Sequence, residues 1–251
     1  MPTTFHHSLI PHYRTMAREG WRGGKALRLA WYPAAHGGGI GSTVMGMGGF
    51  NPTIFEQGEA FRFDSDTGGH YLEVDSDNET GQLKTDVYIA SSSYFYGTHP
   101  ISNCYFFMRF SLPTITNVRV FAGMCQYTDR DYITTADNPG KVYAGYQFST
   151  ARPDTNFQFV HDTSSTQTLV DTGVAPATDV VYQVELEYSS DGTALRGRMS
   201  NSDGGVLMAD TMHTASDITN NNQIDFAPYL GVVTLAEEMK QFRFYRAEVW
   251  V

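Results

Sequence analysis

This sequence carries two cysteines in 251 residues, Cys104 and Cys125, and no Cys/His cluster at zinc spacing. That scarcity excludes a disulfide-built scaffold and a structural zinc site. Both thiols fall in strand-like segments, where cysteine behaves as a small buried hydrophobe; bonding them requires neighbouring strands. Charge is also scarce, at 18% of residues. No window approaches the ~20 apolar residues of a membrane span. The opening MPTTFHHSLIPHYR has no apolar run suited to a signal peptide. A soluble chain without a membrane partner is expected. Helical periodicity is nearly missing, surfacing weakly at 233–240 (VTLAEEMK). No P-loop and no Gly-x-Ser-x-Gly elbow occur, which removes the common nucleotide and hydrolase signatures.

Aromatic residues, by contrast, are plentiful: 16 Phe and 15 Tyr, a composition that favours strands because flat rings pack well on a pleated surface. The net charge of -10 is unevenly placed. Residues 1–50 hold Arg14, Arg18, Arg22, Lys25 and Arg28 against Glu19 alone, whereas the rest of the chain carries a net of −14. An acidic body repels phosphate, so nucleic acid is not expected on it. The basic residues of the arm form a candidate docking set for an acidic partner; the competing reading is a solvated tail. Residues 37–49, GGGIGSTVMGMGG, place seven glycines in thirteen positions, yet Ile40, Val44, Met45 and Met47 seek burial. Such a segment orders against a neighbour, either its own domain or a second copy of the chain.

From residue 55 the pattern becomes short alternating runs between turn residues. Strands are expected near 59–63, 70–75, 83–90, 103–112, 117–126, 141–149, 155–161, 180–188, 194–200, 224–234 and 240–250. In VVYQVELEY, Val181, Gln183, Glu185 and Glu187 face one way and Val180, Tyr182, Val184, Leu186 and Tyr188 the other. A register break is expected near Arg246. Turn residues fall at Asp66–Gly69, Thr80–Gly81, Asn138–Gly140, Ser190–Gly192 and Ser202–Gly205. The expected architecture is all-β, an antiparallel β-sandwich at 55–251 behind an irregular, basic, glycine-rich arm at 1–54.

The stretch 141–199 adds a resemblance. It has a strand ending in Phe148, a polar turn with Asp154, the strand TNFQFV and a Ser/Thr-rich hairpin. A DTGV step at Asp171–Val174 and an SSDG turn at 189–192 follow. This grammar resembles the concanavalin A-like (lectin/glucanase, laminin-G-like) jelly-roll domains of tailed-bacteriophage structural proteins. The resemblance covers 55–251 and implies a non-enzymatic virion protein, such as a capsid decoration, collar or fibre component. It also implies sister subunits and other virion proteins as partners in a homo-oligomer, with a host glycan as the alternative ligand.

Glucanases of that fold carry Glu-x-Asp-x-Glu on one strand, two of whose carboxylates do the chemistry. The local match, Glu73, Asp75 and Glu79, spaces its third acid too late. Glu185-x-Glu187 has no third acid and is expected to face solvent. No catalytic set is therefore assigned. Asp75, Asp77 and Glu79, followed by Gly81, alternate three hard oxygen ligands as a calcium loop would, although glycine comes late for an EF-hand and a solvated acidic turn competes. The segment CQYTDRDYITTADNPG offers a candidate glycan edge in Tyr127, Asp129, Arg130, Asp131 and Tyr132, the competing reading being a loop packed on a neighbour.

Overall fold

The computed structural model describes residues 28–31, 60–64, 69–74, 80–84, 105–126, 136–163, 166–178, 180–188, 194–201, 206–214, 226–236 and 240–250. Among them are fourteen strands and no helix. In chain order these are β1 (Arg28–Trp31), β2 (Ala60–Asp64), β3 (Gly69–Val74), β4 (Thr80–Lys84), β5 (Tyr105–Ser111), β6 (Val118–Gln126) and β7 (Val142–Ser149). There follow β8 (Gln158–Thr163), β9 (Gln167–Asp171), β10 (Val181–Tyr188), β11 (Ala194–Asn201), β12 (Val206–Thr214), β13 (Phe226–Thr234) and β14 (Lys240–Trp250). They form two antiparallel sheets. The large sheet runs β12-β11-β10-β5-β14-β3-β2, with β1 also on β14, and the small sheet runs β4-β13-β6-β7-β8-β9.

Period-two alternation decides which side chains meet between the sheets. From the large sheet come Phe106, Met108, Phe110, Tyr182, Val184, Leu186, Leu195 and Met199; from the small sheet come Val120, Ala122, Met124, Ala144, Tyr146, Phe148, Phe159, Leu230 and Val232. Each of the larger of these buried side chains contributes roughly 1.5–3 kcal/mol by leaving water, and each alanine about 1 kcal/mol or less. Tyr182 keeps its hydroxyl satisfied by accepting from the Ala177 N–H at 2.8 Å. Gly197 faces this core, and the Phe159 ring and Tyr146 hydroxyl of the opposite sheet occupy the space where its Cβ would stand.

The expected alternation of β10 is observed, with Tyr182, Val184 and Leu186 buried. The register break is also present, as a shift between Phe244 and Arg246 where β14 pairs with β5. The Asn138–Gly140 turn forms, Gly140 adopting φ 63° and donating its N–H to Asn138 Oδ1 at 3.1 Å. The DTGV step is a turn in which Gly173, at φ 70°, donates to Asp171 Oδ1 at 2.7 Å.

Other expectations need correction. Thr80 and Gly81 are strand rather than turn, since Gly81 pairs with Val232 inside the β4–β13 ladder. The weak helix at 233–240 does not form: Val233 and Thr234 complete β13 and Lys240 opens β14. Strands β1, β9 and β12 were not expected. β1 lies inside the basic arm and pairs along 247–250 of β14, where β3, paired only along 240–244, leaves that edge open. Among the described residues no helix is long and apolar enough to cross a membrane.

Gly123 and Gly145 face each other across the β6–β7 ladder, where a Cβ on either would press on the other's Cα and on Phe121. Gly123→Ala and Gly145→Ala are each expected to cost at least about 2 kcal/mol in urea unfolding, because backbone atoms block the new methyl. Gly173→Ala meets no atom within 4 Å and is expected to lose only about 1–2 kcal/mol, from its left-handed backbone.

Candidate functional site

The face of each sheet turned away from the core carries the remaining chemistry. On the large sheet, β10 turns Gln183, Glu185 and Glu187 outward, and the register sets Glu185 beside Arg198 and Glu187 beside Arg196 on β11. Arg198 lies within 3.6 Å of the Glu185 carboxylate and 3.1 Å of the Glu187 carboxylate, so one guanidinium bridges both acids. Gln183 Nε2 donates to Glu185 Oε1 at 3.1 Å, and the Tyr105 hydroxyl also hydrogen-bonds Glu185. On the next strand, β12, Asp210 takes a two-pronged contact from Arg196, at 2.8 Å from Nε and 2.5 Å from Nη2. Further along the sheet Arg109 stacks over the Tyr245 ring at 5.6 Å, and Tyr245 and Ser111 share a 3.3 Å hydroxyl contact.

This face grades from dry to wet. Side-chain exposure is 14% at Glu185, 25% at Glu187 and 40% at Arg196. Glu185 therefore does not face solvent as its place in the strand suggested; the bridging arginine and its neighbours cover it. Burial pushes its carboxyl above the ordinary glutamate value, and the Gln183 and Arg198 contacts only partly offset this. Burial, then the nearby Glu185 charge, pushes the Tyr105 phenol well up. The hydrogen bond from Arg196 holds Asp210 below its usual value.

The small sheet's outer face is different. Phe121, Cys125, Tyr143, Val160 and Tyr229 form a second, separate apolar cluster there. The Phe121 ring meets Tyr143 edge-on at 5.4 Å and Tyr229 at 6.0 Å. Around it runs a polar network. Arg119 Nε donates to Asp137 Oδ1 at 2.7 Å, while Gln147 Nε2 and Gln167 Nε2 donate to the Asp137 carbonyl at 3.2 and 2.7 Å. Gln167 also reaches the Tyr143 hydroxyl at 2.6 Å. Arg152 forks onto Asp154 with two 2.7 Å bonds and donates to Gln147 Oε1 at 2.9 Å.

The candidates read from sequence fall mostly elsewhere. Tyr127, Asp129, Arg130, Asp131 and Tyr132 lie outside the described residues, as do Asp75, Asp77 and Glu79, and Arg14, Arg18, Arg22 and Lys25. Arg28 opens β1, opposite Trp250. Cys125 is buried as expected, and Cys104 lies outside the described residues. Among the described residues no cluster of three His, Cys, Asp or Glu could hold a metal. Sequence reading missed the Arg198 bridge and the Asp137 hub. The signal for the first was present, since arginines at 196 and 198 share the alternation of the glutamates at 185 and 187.

No family model and no curated protein matches this chain. Solved structures do. Peanut lectin with a nine-residue peptide aligns over 91% of this chain and 98% of its own, with TM-score 0.60 and 12% identity. Lectin I of Ulex europaeus, bound to the methyl glycoside of α-L-fucose, aligns over 90% and 98%, with TM-score 0.58 and 10% identity. A protein of unknown function from Shewanella oneidensis aligns over 90% and 86%, with TM-score 0.59 and 12% identity. The fold is the concanavalin A-like jelly roll. At these identities the likeness extends to the fold alone.

Glu185 supplies a pH test. Its carboxyl is raised in the folded state, so its contribution to stability is full below the ordinary glutamate value and is lost as pH rises through the raised one. Glu185→Gln is expected to match or exceed the wild-type urea midpoint at pH 7, with any gain gone at pH 4. A large loss at pH 7 would show that the Arg198 pairing outweighs the desolvation.

Proposed function

We propose that this jelly roll is a non-enzymatic glycan-binding module whose large-sheet outer face contacts the sugar. The observation that carries the reading is the Arg198 guanidinium spanning Glu185 and Glu187, continued outward by the Arg196–Asp210 pair. A sugar hydroxyl both donates and accepts, and a row of alternating carboxylates and guanidinia answers both halves. The same bridge argues against hydrolysis. A retaining glycosidase holds two carboxyl groups ~5–5.5 Å apart with the scissile bond between them, and here an arginine holds both acids. The lectin neighbours, one solved with a fucose glycoside, support the reading at the level of fold. Tyr127, Asp129, Arg130, Asp131 and Tyr132 remain the second candidate surface.

The resemblance of 141–199 to phage structural domains puts the module, in our reading, on a virion as a capsid decoration, collar or fibre component. The charge contrast between basic arm and acidic body favours docking through Arg14, Arg18, Arg22, Lys25 and Arg28 onto virion proteins or sister subunits. Removing residues 1–27, which leaves β1 in place, is expected to abolish incorporation into particles while preserving glycan binding.

A glycan array tests the sugar site. Wild-type protein is expected to bind, and Glu187→Gln or Asp210→Asn to weaken binding about tenfold, the loss of one charge-assisted hydrogen bond. Loss on Tyr127→Ala or Tyr132→Ala with Glu187→Gln unaffected would move the site to the loop. Silence across the array would refute the lectin reading, and sugar release from a polysaccharide panel would refute the non-enzymatic one.

A further inference from the structure

We propose that β9 is an interface strand through which two copies of this chain join, β9 against β9, antiparallel about a twofold axis at Leu169. Backbone directions come first. Successive residues of a strand aim their N–H and C=O groups to opposite sides. Thr150 donates its N–H to the Val118 carbonyl at 3.0 Å, and Thr172 donates to the Phe157 carbonyl at 3.1 Å. With these bonds and the ladder registers, Phe159 and His161 of β8 exchange bonds with Val170 and Thr168. Gln167, Leu169 and Asp171 therefore aim their backbone groups away from β8. β9 ends the small sheet, and among the described residues no group takes those three N–H or carbonyl groups.

Open edges invite pairing, and proteins blunt them with charge, proline or bulges. The other sheet ends carry such devices: Lys84 in β4, Arg62 in β2, and a register shift where β12 meets β11. β9 has no basic residue, no proline and an unbroken ladder. It also presents Leu169, which at 38% is the one exposed large hydrophobic among the described residues. Symmetry identifies the occupant. The outward set is centred on Leu169, so a second copy reversed end to end presents the same set in matching order. Leu169 then exchanges both bonds with its counterpart, and Gln167 of each copy meets Asp171 of the other. Acid opposes amide at both ends, and no two carboxylates face each other. A shift of two residues either way leaves one outward residue of each copy unpaired. The two Leu169 side chains stand on one face with their Cβ atoms about 5.5 Å apart, and shield each other from water. Such a contact closes at a dimer. It uses neither the basic arm nor the large-sheet face read as the glycan surface. One five-residue strand per copy is a small interface, so the dimer is reversible.

Sedimentation equilibrium of the full-length protein tests this. Across about 1–500 µM, a range suited to a small interface, the mass should climb from that of one chain toward that of two. Leu169→Pro removes an N–H that β8 does not use, and Leu169→Lys sets two cations face to face. Each should weaken dimerisation at least about tenfold. Should Leu169→Pro fail to fold, Leu169→Lys, which alters only an exposed side chain, carries the test. Amide exchange gives a residue-level check. The Gln167, Leu169 and Asp171 N–H groups should gain protection with concentration, while those of Thr168 and Val170 stay protected throughout. A monomer at every concentration, a mass rising past two chains, or a dimer indifferent to Leu169→Lys would overturn the proposal.

Discussion

Strands β6 and β7 are buried on both faces, and much of the rest of the molecule answers that constraint. A strand in an ordinary sandwich gives one face to the core and the other to water. Here every residue of β7 is buried, and all of β6 except Gln126. One face is closed by the large sheet across the main core. The other holds aromatic rings, a thiol and the facing pair Gly123–Gly145, with the Phe121 ring beside the glycines. Side chains at those two positions would leave the ring no room, so their absence and the aromatic cluster are one packing solution.

The large sheet meets the same geometric demand with charge. Its outward positions on β10 and β11 hold glutamates and arginines, and the register makes them cross-strand neighbours. Arg198 is shared between two acids and is only 17% exposed. A half-buried ion network of this kind contributes little net stability, because desolvation offsets most of the attraction. The burial-driven rise of the Glu185 carboxyl is the sign of that cost.

The sequence made legible what alternation controls. Tyr182, Val184 and Leu186 announce their core face, Arg246 interrupts its pattern where the ladder shifts, and the glycines after Asn138 and Thr172 mark left-handed turns. What escaped was structure set by neighbours. β9, QTLVD, is an edge strand with exposed Thr168 and Leu169, so no buried face imposes a period on it. β1 is a strand because β14 outruns β3, a fact of sheet geometry that RLAW alone does not contain. Thr80–Gly81 has turn composition, but its place beside β13 overrides local preference. For the site, the matching alternation of 185/187 and 196/198 is legible in the chain, but which arginine joins which acids is not, because that pairing depends on register between β10 and β11. Asp137 was invisible for a similar reason: its partners come from positions 119, 147 and 167.

A jelly roll shared at 10–12% identity leaves the purpose of its surfaces open. What distinguishes this chain is how differently its two outer faces are used. The small sheet's face buries an apolar cluster beside a polar network in which Asp137 bonds to residues of three strands. The large sheet's face buries Tyr105 and Phe107 on β5 and turns polar across β10 to β12, graded from the dry Glu185 to the half-exposed Arg196. Binding sites need groups held in place yet reachable, a requirement met where ion pairs fix side chains at the margin of solvent. Ion pairs hold side chains near the margin of solvent on both faces, Arg119–Asp137 on the small sheet and Glu185–Arg198–Glu187 running out to Arg196 and Asp210 on the large one, and of these the Arg196–Asp210 pair reaches furthest into solvent.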